Sequence, residues 1–207
     1  MALKLGTLLT LIGLWLAVPA ALATADPAAD QPEVVMRTSA GDVRIALHPE
    51  RAPKTVANFL HYVDHGFYEG LQFHRVVAGF VIQGGGFDAD RKPREPGPPV
   101  VNESVGGLAN ARGTIAMARR QDPDSASAQF YINLADNAFL DAKDDQPGYT
   151  VFGRVVSGMD VVERIAATEV TNAGGPFTHV PREPVLILEA RRAEASADDD
   201  GAERQPQ

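Results

Sequence analysis

The chain has 207 residues, of which 44% are hydrophobic and 22% charged. That is enough apolar surface for one sizeable core and too little charge for wholesale disorder. A formal net charge of -8, with no basic block anywhere, argues against a nucleic-acid binder held by phosphate contacts. The chain has no cysteine, which removes disulfides, thiol catalysis and thiolate metal sites.

The N-terminus reads as an address. Lys4 supplies a short positive region, residues 5–18 are mostly apolar, and Ala23-Thr24-Ala25 has the small-x-small form cut by signal peptidase. The apolar run is short for a spanning helix of about 20 residues, so a cleaved signal peptide over residues 1–25 is favoured over an anchor. The expected product is periplasmic and begins at Asp26. Residues 26–32 read as a small, polar linker.

The next elements follow from hydrophobic period. Residues 33–38 and 43–47 read as two strands joined by the turn cluster Ser39-Ala40-Gly41-Asp42. Residues 52–65 read as a helix with Pro53 in its first turn. Val56, Phe59, Leu60 and Val63 keep the spacing of a buried face. Strands are expected over 73–77 and 80–83, about a turn at Ala78-Gly79. Residues 88–99 form a proline-rich loop. Further strands are expected over 113–118, 128–133 and 149–156. A second helix follows over 158–168, with Val161, Val162 and Ile165 inward, then a last strand over 185–190. Residues 191–207 lack large apolar side chains and read as a disordered tail. Many short strands with two helices point to a mainly β protein: a closed antiparallel barrel of about eight strands capped by two helices, one domain over 33–190.

Chemistry concentrates in three blocks. The first is Phe73-His74-Arg75-Val76-Val77-Ala78-Gly79-Phe80-Val81-Ile82-Gln83-Gly84-Gly85-Gly86. Arg75 and Gln83 are polar groups set among apolar ones, and an arginine there needs a partner if it is buried. An apolar slot with one fixed cation and one amide suits an uncharged substrate that must be polarised, not attacked. The second block is 113–119 followed by Ser127-Ala128-Gln129-Phe130-Tyr131-Ile132-Asn133. Period two puts Gln129 and Tyr131 on one face and Phe130 and Ile132 on the other. The third block is Phe139-Leu140-Asp141 with Tyr149-Thr150-Val151-Phe152-Gly153.

The pattern Phe-His-Arg-Val-x-x-Gly-Phe-x-x-Gln-Gly-Gly resembles the signature of cyclophilin-type peptidyl-prolyl cis-trans isomerases, closest to the bacterial periplasmic ones. The other two blocks resemble the family's remaining site segments, and the resemblance spans roughly residues 33–190. It implies an isomerase of X–Pro bonds in unfolded or exported polypeptides, with Arg75 and Gln83 as catalytic residues. Phe80, Val81, Ala118, Arg119, Gln129, Tyr131, Phe139, Leu140 and Tyr149 are then the substrate-binding set. No metal or cofactor is implied, and a monomer without nucleic-acid or membrane partners is expected. Arg119 stands where many members have asparagine and use the backbone, so tolerance to substitution is expected there. Phe139 stands where many members have tryptophan, which implies weak cyclosporin binding. A non-catalytic peptide-holding module is the alternative, and the retained Arg75 argues for the enzyme.

Other motifs fail on missing partners. His61 and His65 have the spacing of a zinc pair, but residue 62 is Tyr where a metalloprotease needs Glu. Gly84-Gly85-Gly86 lacks the Lys-Ser/Thr of a phosphate loop. No Gly-x-Ser-x-Gly elbow is present, and Asp198-Asp199-Asp200 has no later Glu to complete a calcium loop.

Overall fold

The computed structural model describes residues 31–194. The expected signal peptide, residues 26–30 of the linker and the tail beyond residue 194 lie outside the described residues.

The chain opens with a hairpin of β1 (Glu33–Thr38) and β2 (Gly41–Leu47), then helix α1 (Pro53–Asp64). β3 (Arg75–Val77) and β4 (Val81–Gly84) form a second hairpin, followed by β5 (Thr114–Met117), β6 (Phe130–Asn133) and β7 (Val151–Ser157). Helix α2 (Met159–Ala166), the short pair β8 (Val170–Thr171) and β9 (Val180–Pro181), and β10 (Ile187–Arg192) complete it. Eight strands form one antiparallel sheet in the order β10-β1-β2-β7-β5-β6-β4-β3, while β8 and β9 pair separately.

Closure is where the sequence reading needs correction. The sheet is open: β10 and β3 are its two edges, with no ladder between them. β3 is only three residues long, and the free side of Val76 is taken by the His179 carbonyl at 2.8 Å. The seam is bridged by single contacts, such as Phe73 N–H to the Val185 carbonyl at 2.9 Å and Ile187 N–H to the Leu71 carbonyl at 2.8 Å. β10 also runs to Arg192, where it faces Val34 of β1, two residues past the expected strand end.

Both helices bury the faces that their spacing predicts. α1 buries Val56, Phe59, Leu60 and Val63, and α2 buries Val161, Val162 and Ile165. The first turn of α1 has no side-chain cap of its own. Glu103 supplies one from a distant loop, accepting from the Thr55 N–H at 2.8 Å and the Thr55 hydroxyl at 2.7 Å. A carboxylate there answers both the orphan N–H groups and the positive end of the helix.

The main core lies on one face of the sheet. Its centre is aromatic: Phe59 meets Phe130 edge-on at 5.9 Å and Phe152 at 5.0 Å, and Tyr68 meets Phe130 at 5.5 Å. The fully buried Tyr68 hydroxyl donates to the Ala128 carbonyl at 2.9 Å, so this ring carries no orphan polar atom. A smaller cluster of Val81, Ala116, Tyr131 and Val151 lies on the opposite face of β4, β5, β6 and β7. Alternation along β6 makes the division: Phe130 and Ile132 belong to the main core, Tyr131 to the smaller cluster. The functional residues gather over that smaller cluster.

Candidate active site

The β3–β4 hairpin sets the first two polar groups. Arg75 is paired with Gln83 across the ladder, so both side chains leave the same face. The Arg75 Nη1 donates to the Gln83 Oε1 at 3.3 Å, and the Gln83 Nε2 donates to the Gln129 Oε1 at 3.2 Å. The amide thus has its acceptor on the arginine and its donor on the next amide, which fixes its orientation. Between the strands Gly79 turns with φ of 71°, a value that suits glycine. This presents Phe80, whose ring lies 5.6 Å from the Arg75 guanidinium carbon.

A pocket of about 270 Å³ opens over this hairpin. It is lined by Arg75, Phe80, Val81, Gln83, Ala118, Arg119, Tyr131, Leu140 and Tyr149. Nine of the eleven residues singled out from sequence therefore share one cavity. Its floor is apolar, with Val81 and Tyr131 buried. Tyr131 and Tyr149 meet edge-on at 5.9 Å. Burial pushes the Tyr131 hydroxyl far above its ordinary pKa, with Tyr149 and Asp141 adding to the effect, so the group is a neutral donor.

Gln129 and Phe139 stand apart from that cavity. Gln129 precedes β6 and lines an adjoining pocket of about 290 Å³, which shares Gln83, Ala118 and Arg119 with the first. Gly86 forms the ground beneath it: a Cβ there would fall 2.5 Å from the Gln129 Nε2. Phe139 is 75% exposed and is absent from the lining. It stacks on the outer side of Phe80, centroids 5.6 Å apart and planes 22° apart. The 3-10 turn Ala138–Leu140 buries none of its residues and turns Leu140, not Phe139, toward the cavity.

Arg119 is anchored through its side chain. Its side chain donates to four carbonyls, those of Gly148 at 3.1 Å, Arg120 at 2.9 Å, and Gln121 and Pro147 at 3.2 Å. Its guanidinium carbon lies 4.6 Å from the Tyr149 ring centroid. The side chain, not only the backbone, ties two loops together beside the pocket.

Residues 33–192 match the family described as cyclophilin type peptidyl-prolyl cis-trans isomerase. The chain belongs to this family. Among its relatives, peptidyl-prolyl cis-trans isomerase A of Dickeya dadantii is 50% identical over 158 residues, covering 76% of this chain and 83% of the relative. Peptidyl-prolyl cis-trans isomerase B of Escherichia coli K12 is 47% identical over 157 residues, covering 74% and 95%. A Cryptosporidium parvum cyclophilin type isomerase structure has the same fold with a TM-score of 0.66 at 22% identity, covering 79% of this chain and 98% of that one.

Behind the cyclophilin pocket runs a buried amide network that sequence reading missed. Asn110, Asn133 and Asn137 are all nearly inaccessible. Asn110 accepts from the Tyr131 hydroxyl at 2.7 Å, and its own Nδ2 donates to Asp141 at 3.0 Å. Asn133 donates to the Thr114 hydroxyl at 2.9 Å. Asn137 donates to the Asn133 Oδ1 at 2.8 Å and to the Phe80 carbonyl at 3.1 Å. These residues link the backs of Phe80, Tyr131 and Leu140. Asparagines at strand ends and in loops look like ordinary turn formers, so only their spatial convergence reveals them.

The histidine pair lines neither pocket, and Asp198-Asp199-Asp200 lies outside the described residues. His61 on α1 and His65, which caps its C-terminal end, are exposed with ring centroids 4.3 Å apart, and the His65 Nδ1 is engaged with the His61 carbonyl at 2.7 Å. Among the described residues, no group of three or more His, Cys, Asp or Glu could hold a metal ion, and no helix is long and apolar enough to cross a membrane.

Proposed function

We propose that this protein accelerates rotation about X–Pro peptide bonds, with Arg75 as the group that favours the twisted amide. The observation that carries this reading is the guanidinium of Arg75, oriented by Gln83 at the edge of an apolar pocket of about 270 Å³. Uncatalysed rotation takes tens to hundreds of seconds because amide resonance must be broken. No covalent bond forms or breaks, so the catalyst needs only to hold the proline and stabilise a pyramidal, more basic imide nitrogen. Arg75 is always charged and presents several donors in a fixed fork. One preorganised donor in a site shielded from water contributes about 3 kcal/mol, or roughly a hundredfold in rate.

The remaining acceleration comes from a clamp. Phe80, Val81, Tyr131 and Leu140 receive the proline ring, whose burial contributes about 1–3 kcal/mol of binding. Gln83 orients Arg75, and Ala118, Arg119 and Gln129 flank the residues before the proline. The substrates are proline-containing segments of unfolded or exported polypeptides. Export is supported by the apolar run over 5–18 and the Ala23-Thr24-Ala25 site. Cyclosporin binds weakly in this reading, because Phe139 offers an apolar ring without the indole N–H of tryptophan.

The test is a protease-free isomerisation assay on a proline peptide with the native protein, Arg75→Ala and Arg75→Lys. The native protein is expected to catalyse the exchange. Both variants are expected to lose most activity while unfolding at an unchanged denaturant midpoint, since a lysine point charge does not reproduce the fork. Native-like turnover by Arg75→Ala would exclude this mechanism. Peptide binding without any catalysis by the native protein would make it a holding module.

A further inference from the structure

The molecule carries a formal charge of -8, yet its site face is basic. Arg75 and Arg119 line the proline pocket, which contains no carboxylate. The adjoining pocket is lined by Arg94, Arg119 and Arg120, with Glu95 as its single carboxylate. None of these four arginines is in a salt bridge among the described residues.

The bonds they do make leave their charges in place. Arg94 donates to the carbonyls of Phe67 and Glu69, both at 2.8 Å. Arg119 donates only to carbonyls. Such bonds fix a guanidinium but do not neutralise it. The exposed Arg120 side chain makes no hydrogen bond to the protein among the described residues; only its backbone is held, its N–H donating to the Ser125 hydroxyl and its carbonyl accepting from Arg119, both at 2.9 Å.

Two carboxylates close by in sequence keep their charge but lie outside the lining. Asp122 accepts from the Asp124 N–H at 3.0 Å, and Asp124 accepts from the Asn102 N–H at 2.7 Å. Neither lines the pocket. The two cavities are joined through Gln83, which donates to Gln129 at 3.2 Å. A peptide whose proline occupies the first cavity can therefore lay a neighbouring side chain in the second.

We propose that the adjoining pocket selects an acidic side chain, Asp or Glu, shortly before the proline, and that Arg120 is its main determinant. This deepens the isomerase reading and rests on it. A cleft with one sign of charge concentrates ligands of the opposite sign even when the whole protein carries that opposite sign. Arg120 is the guanidinium with donors to spare, whereas Arg94 and Arg119 add fixed positive potential. Glu95 within the lining opposes the preference, and Asp122 and Asp124 outside it weaken it.

The experiment compares isomerisation of three short peptides, Glu-Ala-Pro-Phe, Gln-Ala-Pro-Phe and Lys-Ala-Pro-Phe with blocked ends, by protease-free exchange measurements. The native protein is expected to favour Glu over Gln, and Gln over Lys, by about two- to fivefold in kcat/KM per step, the range of an exposed ion pair. The Glu-to-Lys ratio is expected to shrink toward one as salt is raised from about 0.01 M to 1 M, where the screening length falls to about 3 Å. Arg120→Gln is expected to reduce the ratio, and Arg120→Glu to invert it. Equal rates for the three peptides, a preference for Lys, or a ratio unmoved by either Arg120 variant would overturn the proposal while leaving the isomerase reading intact. Failure to accelerate even the Gln peptide would instead remove the isomerase reading. Circular dichroism of both variants verifies that the exposed substitution has not unfolded the chain.

Discussion

The Tyr131 hydroxyl donates to the Asn110 Oδ1 at 2.7 Å, 21 positions apart in sequence and wholly buried. The bond joins the floor of the proline pocket to the amide network behind it. Asn110→Ala removes the acceptor of Tyr131 and the donor to Asp141 together. A buried polar group left unpaired costs about 1–3 kcal/mol. Asn110→Ala is therefore expected to lower stability by about 3 kcal/mol, and Tyr131→Phe by about 1–2 kcal/mol. Because Asn133 also donates to the Asn110 Oδ1, at 3.3 Å, the Phe variant leaves that oxygen satisfied. Urea unfolding of the two variants measures the difference; equal losses would mean that the network is not centred on Asn110.

Arg119→Asn separates a backbone role from a side-chain role. Four carbonyl bonds and the Tyr149 contact are lost. Water replaces part of this at a half-buried position, so the expected destabilisation is about 1–2 kcal/mol. KM for a neutral proline peptide is expected to rise more than kcat falls, because the wall carrying Tyr149 loosens while Arg75 keeps its partner. Denaturant midpoints and initial-rate kinetics together check this. Unchanged stability and KM would bear out the expectation of tolerance.

His74 gives the fold an acid-sensitive point. It is buried, with its Nδ1 unpaired. It packs edge-on against Phe87 at 4.8 Å and Phe177 at 6.4 Å. Burial, with a smaller push from Arg75, lowers its pKa from 6.5 to about 4. The folded state thus holds the neutral ring while the unfolded chain takes up a proton first. Stability is full above the unfolded value near 6.5 and falls as pH drops toward 4, by about 3 kcal/mol from this group. Urea midpoints between pH 7.5 and 4 follow the loss, and His74→Phe is expected to flatten the slope in that window. An identical slope in the variant would assign the acid sensitivity to other groups.

Phe80 and Phe130 are expected to part company on truncation. Phe130 is fully buried and contacts Phe59, Tyr68 and Phe73. Its replacement by Ala is expected to cost about 3–5 kcal/mol. Phe80 lines the open pocket beneath the exposed Phe139, so Phe80→Ala leaves a groove that water enters. Peptide affinity is expected to fall more than stability there. Melting and binding measured on both variants would, if the ranking were reversed, show that the two faces of β4 and β6 carry the opposite duties.

Much of the cyclophilin architecture was written in local pattern. The i, i+3, i+4, i+7 spacing in α1 names the residues that pack, and the alternation in β6 puts Tyr131 and Phe130 on opposite faces. That follows from geometry: the helical and extended periods dictate which way each side chain points. The pairing of Arg75 with Gln83 was less legible: a two-residue turn at Ala78-Gly79 sets Arg75 opposite Ile82, and it is the three-residue turn Ala78-Gly79-Phe80 that brings it opposite Gln83. What periodicity does not carry is the identity of a partner remote in sequence. The Arg119 acceptors Pro147 and Gly148 lie 28 and 29 positions away, the Asn110 network spans strands and loops, and the Phe139 ring turns outward through a single 3-10 turn. The open seam between β3 and β10 has the same origin. Alternation marks both segments as strands, but whether their edges meet along a ladder depends on the short length of β3 and on the His179 carbonyl that occupies its free side. Local sequence determined faces and periods; only the tertiary structure decided partners, edges and the distribution of charge around the site.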